Sequence, residues 1–72
     1  MIYFIQRQYK DLIKIGHTGS PVEKRFKQIK SQLSPEPLSL LASMPGGYDL
    51  EDALHARFRP DRYEFEWFRP TH

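Results

Sequence analysis

The chain has no cysteine, which excludes disulfides, thiolate metal centres and cysteine nucleophiles. No apolar run approaches the roughly 20 residues that a membrane-spanning helix needs. Residues 1–5 lack a basic leader and a long apolar stretch, so no secretory signal is expected. The expected location is therefore the cytoplasm or the nucleoid, with no secretion and no membrane partner. There is no Walker-type glycine loop, no Gly-x-Ser-x-Gly elbow and no His-Glu-x-x-His zinc motif. Neither sign of charge dominates: 11 Lys and Arg face 9 Asp and Glu, for a net charge of +2. This permits a polyanionic partner without requiring one. Length is short as well. With 72 residues there is room for a single domain, and at this size one core rarely supplies more than ~3–5 kcal/mol.

What is present is patterned. Residues 2–6 are β-branched and aromatic, as in a half-buried strand. Residues 12–17 alternate, with Ile13 and Ile15 on one face and Lys14 on the other. A loop at 7–10 between them makes a hairpin and sets Tyr3 opposite Lys14. Ser20-Pro21-Val22-Glu23 reads as a helix start, with Ser20 as cap and Glu23 closing a capping box. Val22, Phe26, Ile29 and Leu33 then form one apolar stripe, and Ser34-Pro35 ends the helix. Residues 38–44 read as a third strand, and Pro45-Gly46-Gly47 as a turn only. A second helix is expected from about Leu50 to Arg59, capped by Asp49, with Leu50, Ala53, Leu54 and Phe58 on its apolar side and Pro60 stopping it. Residues 63–68 alternate aromatic and acidic, which suits either a short strand or an aromatic lid. The expected fold is α+β: a three-stranded antiparallel sheet flanked by helices, ordered ββαβα, plus an aromatic tail. One core is expected to hold Val22, Phe26, Ile29, Leu54, Phe58 and Trp67 with Ile13 and Ile15.

Four groups of residues carry chemistry. A lysine beside Tyr3 would favour the phenolate and make a general base; the plainer account is an amphipathic tyrosine over a lysine stem. Arg25 flanks the helical stripe and could present its fork to a phosphate. Lys24, Lys27 and Lys30 point further outward, either as diffuse attraction for a nucleic-acid backbone or simply as a solvated face. Glu51 and His55 stand at i and i+4. Glu51, at the rim of the second stripe, suits a single carboxylate ligand for Mg²⁺, and His55 could orient it or contact phosphate. An ordinary helix pair explains these two equally well, and a two-ligand zinc site is a weaker reading. Trp67 and Phe68 read first as core and second as a stacking platform.

In this order, Ile2-Tyr3-Phe4-Ile5-Gln6, Ile13-Lys14-Ile15-Gly16-His17-Thr18, Pro21 with Arg25, Leu50-Glu51-xx-Leu54-His55-xx-Phe58 and Glu66-Trp67-Phe68 resemble a GIY-YIG nuclease domain. They resemble its small phage-type branch, which includes the meiotically up-regulated gene domains, and the likeness spans nearly the whole chain. The resemblance implies a metal-dependent DNA endonuclease that hydrolyses phosphodiester bonds with one divalent ion, Mg²⁺ or Mn²⁺. It sets Tyr3 at the first motif tyrosine, Lys14 in place of the second, Gly16 at the motif glycine, Arg25 at the helical arginine and Glu51 at the metal ligand. Ile2 replaces the first glycine of the name. The chain has no asparagine for the family's late position, and Glu66 sits in that neighbourhood.

The expectation is therefore a single GIY-YIG-like domain over residues 1–72, acting on DNA. Tyr3, Lys14, Arg25 and Glu51 would be catalytic, Glu51 would bind the metal, and His55, Lys24, Lys27 and Lys30 would contact substrate. A homodimer or a separate targeting protein would supply recognition. The alternatives are a non-catalytic DNA-binding module of the same fold and a small protein-interaction or oligomerisation domain.

Overall fold

The computed structural model describes residues 1–64 and 66–70. Phe65, within the aromatic tail, lies outside the described residues. The chain runs β1 (Ile2–Arg7), β2 (Leu12–His17), α1 (Val22–Leu33), β3 (Leu38–Met44), α2 (Tyr48–Arg57), a 3-10 turn (Arg59–Asp61), β4 (Arg62–Glu64) and β5 (Trp67–Phe68). All the pairings are antiparallel, in the order β3-β1-β2-β5-β4. Among the described residues the sheet therefore has five strands, two more than the sequence pattern suggests. The extra two come from the tail, where β5 pairs with the outer edge of β2 and β4 pairs with β5. Residues this close to turns carry too little periodicity to announce a strand, and pairing with an existing edge decides the matter.

The β1–β2 loop is Gln8 to Asp11, one residue later than expected. Asp11 takes a left-handed φ of 50°, a conformation that aspartate tolerates better than most side chains. The shift moves the register by two. Tyr3 stands opposite Gly16, and Lys14 stands opposite Ile5. Tyr3 and Lys14 are thus diagonal neighbours on one sheet face, not a directly opposed pair. A two-residue slip preserves the face because the strand period is two.

The helices begin differently from the expected caps. The Pro21 carbonyl accepts from the N–H groups of Lys24 at 3.1 Å and Arg25 at 3.2 Å, so Pro21 occupies the cap position and no side chain caps α1. The Ser20 N–H instead donates to Thr18 Oγ1 at 3.1 Å, and this turn sets the approach. On α2 the cap is Gly47, in an extended conformation. Asp49 and Glu51 fall inside the first turn, where the helix dipole favours negative charge. Gly46 does more than turn the chain. A Cβ there would press on Leu50 and Ile2, so its bareness lets α2 close on β1.

Each face of the sheet has its own core, where the sequence pattern suggests one. On one face Tyr3, Ile5, Val22, Ile29 and Leu38 are buried, with Phe26, Leu33, Leu40 and Trp67 packed around them. On the other, Ile2, Ile15 and Phe68 are buried beneath Phe4, Leu50, Leu54 and Phe58. Phe26, Leu54, Phe58, Trp67 and Ile13 are half-buried, and Ala53 is exposed. A sheet covered on both sides splits the apolar residues by strand parity, so one continuous core cannot form. Arg7 at the end of β1 clamps Glu36, with Nε and Nη2 donating to its two carboxylate oxygens at 2.9 and 2.7 Å. Arg7 also lies over the Trp67 ring at 5.1 Å.

Candidate functional site

β5 pairs with β2 at Ile13 and Lys14, and among the described residues no strand covers the outer edge of β2 from Ile15 onward. Two groups fill the gap. The Ile15 N–H donates to Glu66 O at 3.1 Å, and His55 Nε2 lies 2.8 Å from Ile15 O. A carbonyl oxygen can only accept, so Nε2 carries the proton, and neutral His55 keeps its lone pair on Nδ1. The Phe68 ring, 5.2 Å away between centroids, packs against the imidazole. The Ile15 backbone thereby brings a side chain from α2 and a residue from the tail to one point.

Glu51 stands one turn before His55. It is 9% exposed, and its carboxylate has no hydrogen-bond or ion-pair partner among the described residues. Its oxygens still touch solvent, because no fully sealed side-chain N or O atom among the described residues lacks a partner. One ligand atom each from Glu51, His55 and Glu66 lie within 4.8 Å of one another. Atoms that share an ion at ~2.1 Å stand ~3–4 Å apart, so small side-chain rotations would close this set on one cation. Two carboxylates and a lone-pair imidazole nitrogen fit a divalent ion chemically. Glu66 Oε2 also accepts from Lys14 Nζ at 2.8 Å, and that ammonium lies 5.5 Å from the Trp67 ring centroid.

Tyr3 is 1% exposed and lies against Gly16, so closely that a Cβ at residue 16 would overlap the phenol. Gly16 follows Ile15 on β2, which sets Tyr3 beside the cluster but on the α1 face. Arg25 is half-buried on α1 and donates to Gln28 Oε1 at 3.2 Å. Among the described residues, none of its hydrogen bonds reaches Tyr3, Lys14 or Glu51. Lys24, Lys27 and Lys30 are exposed, and Lys30 lies over the Phe26 ring at 5.4 Å. The structure thus gathers Lys14, Glu51, His55 and Glu66 directly, holds Tyr3 next to them, and leaves Arg25 and the lysines on the neighbouring helix. Glu66 is the member that residue patterns leave unassigned. Its place depends on the tail pairing with β2, and its sequence signals are its closeness to Trp67-Phe68 and to the late asparagine position that the resemblance implies.

No curated protein and no solved structure matches the chain significantly. The model of the T5orf172 domain matches residues 1–72. The match covers the described sheet, both helices and all four clustered side chains, and the chain belongs to the T5orf172 domain family.

Proposed function

We propose that this domain is a divalent-metal-dependent DNA endonuclease of the GIY-YIG type. The observation that carries this reading is Glu51: a carboxylate 9% exposed, unpartnered among the described residues, and grouped with His55 and Glu66. An ionised carboxylate is costly to bury without a counter-charge, so such a position suits a bound cation. Membership of a family of endonuclease-like domains supports the same reading.

Glu51 would hold Mg²⁺ or Mn²⁺, which when bound polarises the phosphoryl oxygens and eases departure of the alkoxide. Tyr3 would accept the proton of the attacking water. Lys14, its diagonal neighbour on the same sheet face, would assist it as the second catalytic side chain of the strand pair. Arg25 would face the scissile phosphate from α1 and stabilise the charge that builds there. Lys24, Lys27 and Lys30 would draw the DNA backbone to that helix. A domain this small has little surface for reading bases, since specific interfaces bury ~1,000 Å² or more of protein. A second copy or a targeting protein in the cytoplasm or at the nucleoid would complete recognition.

The test is cleavage of plasmid, branched and single-stranded DNA with Mg²⁺, Mn²⁺ or EDTA. Glu51→Gln should lose ~10³-fold or more of metal-dependent cleavage while folding and binding DNA normally. Cleavage at the wild-type rate by that variant would remove Glu51 as the metal ligand and favour the non-catalytic DNA-binding reading.

A further inference from the structure

We propose that His55, through Nδ1, and Glu66 join Glu51 as direct ligands in a three-donor site that prefers Mn²⁺ to Mg²⁺. The inference rests on reading Glu51 as a metal ligand and names the rest of the site and the class of ion.

Three observations, two on α2 and one in the tail, converge. Glu51 points its unpartnered carboxylate into the cluster from a position more than nine-tenths buried. His55 is fixed by its Nε2 bond to Ile15 O, which determines the tautomer. The nitrogen with the lone pair is then Nδ1, and a ring held by a backbone carbonyl through its other nitrogen is the usual arrangement of a metal-bound histidine. Glu66 is anchored by Lys14 at Oε2. A carboxylate has about four lone-pair sites, so this ion pair orients Glu66 and leaves it acceptor capacity for a cation. Lys14 is thus a positioning residue for Glu66.

The donor set decides the ion. Mg²⁺ demands oxygen ligands in near-octahedral geometry and keeps most of its waters. A nitrogen donor adds little for Mg²⁺ but strengthens binding of first-row transition ions. Two carboxylates with one imidazole therefore favour Mn²⁺ over Mg²⁺, and the preference depends on His55.

Calorimetric titration of the DNA-free protein with Mn²⁺ and with Mg²⁺ tests this on wild type, Glu51→Gln, His55→Gln and Glu66→Gln. His55→Gln and Glu66→Gln should each weaken Mn²⁺ about tenfold or more, and His55→Gln should also narrow the ratio of Mn²⁺ to Mg²⁺ affinity. A companion measurement needs no variant to fold. In wild-type protein labelled with ¹⁵N-histidine, diamagnetic Zn²⁺ should shift the Nδ1 resonance of His55 while Nε2 stays protonated. Wild-type Mn²⁺ affinity in either variant, or an unmoved Nδ1 resonance, would overturn the three-donor site. If Glu51→Gln alone abolishes binding, the single-carboxylate reading survives and this inference falls. If none of the three variants weakens binding, both fall.

Discussion

Tyr3 and Gly16 are cross-strand partners packed with no space between them. The Tyr3 phenol occupies the position that any Cβ at residue 16 would take. Tyr3 cannot move aside, because it is 1% exposed and packed among Ile5, Val22, Ile29 and Leu38. A methyl at residue 16 must therefore displace a buried ring. Gly16→Ala should cost about 1–3 kcal/mol, the usual range for overpacking, in urea unfolding. Gly19→Ala, where a Cβ meets nothing within 4 Å, serves as the neutral control. Equal midpoints for the two variants would show that the packing here is loose.

The two faces of the sheet should respond unequally to loss of an aromatic. Phe68 is 2% exposed and central to the α2 side, so Phe68→Ala should cost about 3–5 kcal/mol. Phe26 is only half-buried, so Phe26→Ala should cost less than that. Thermal melts of both variants under one condition give the ranking, and a larger shift for Phe26 would contradict the two-core description.

Acidification should release the clamp between β1 and the segment before β3. Arg7 holds the Glu36 carboxyl below its ordinary range, chiefly through their hydrogen bonds. A carboxyl whose folded pKa is depressed stabilises the fold above its unfolded value, and that contribution is lost as pH falls through the folded pKa. Stability measured from neutral pH down through the carboxylate range should fall more steeply for wild type than for Glu36→Gln. Parallel curves would mean that the pair is energetically silent.

The exposed lysines of α1 should govern salt dependence more than chemistry. Replacing Lys24, Lys27 and Lys30 together by alanine should weaken DNA binding and flatten the plot of log affinity against log salt. The slope should change by about 0.9 for each duplex phosphate that the variant no longer neutralises. Arg25→Ala should weaken binding as well and, unlike the triple variant, lower the cleavage rate at saturating DNA. An unchanged salt slope in the triple variant would move the DNA interface to another face.

Much of the fold is written in short-range pattern. The alternation in residues 12–17 and the uncharged run 38–44 coincide with β2 and β3 as formed, and the stripe from Val22 to Leu33 coincides with α1. Those segments are long enough for periodicity to declare itself against solvent on one side and core on the other. The caps are a different matter. Ser20 and Asp49 both have capping chemistry, yet Pro21 and Gly47 hold the cap positions. No side chain caps either helix, and a boundary that moves by a residue or two is what local residue preference cannot foresee.

For the site, the sequence by itself determined which residues have the right chemistry. It supplied the i, i+4 spacing that sets Glu51 and His55 on one helix face, and a lysine and a glycine two apart on one strand. Only the tertiary structure decided how they meet. The hairpin register put Gly16, not Lys14, opposite Tyr3. Pairing of the tail with β2 brought Glu66 to Lys14, Glu51 and His55, from fifteen positions beyond Glu51 in the sequence. Spacing along a chain fixes side-chain direction only within one helix or strand. A cluster assembled from β2, α2 and the tail depends on register and edge pairing, which the buried faces of the whole domain select together.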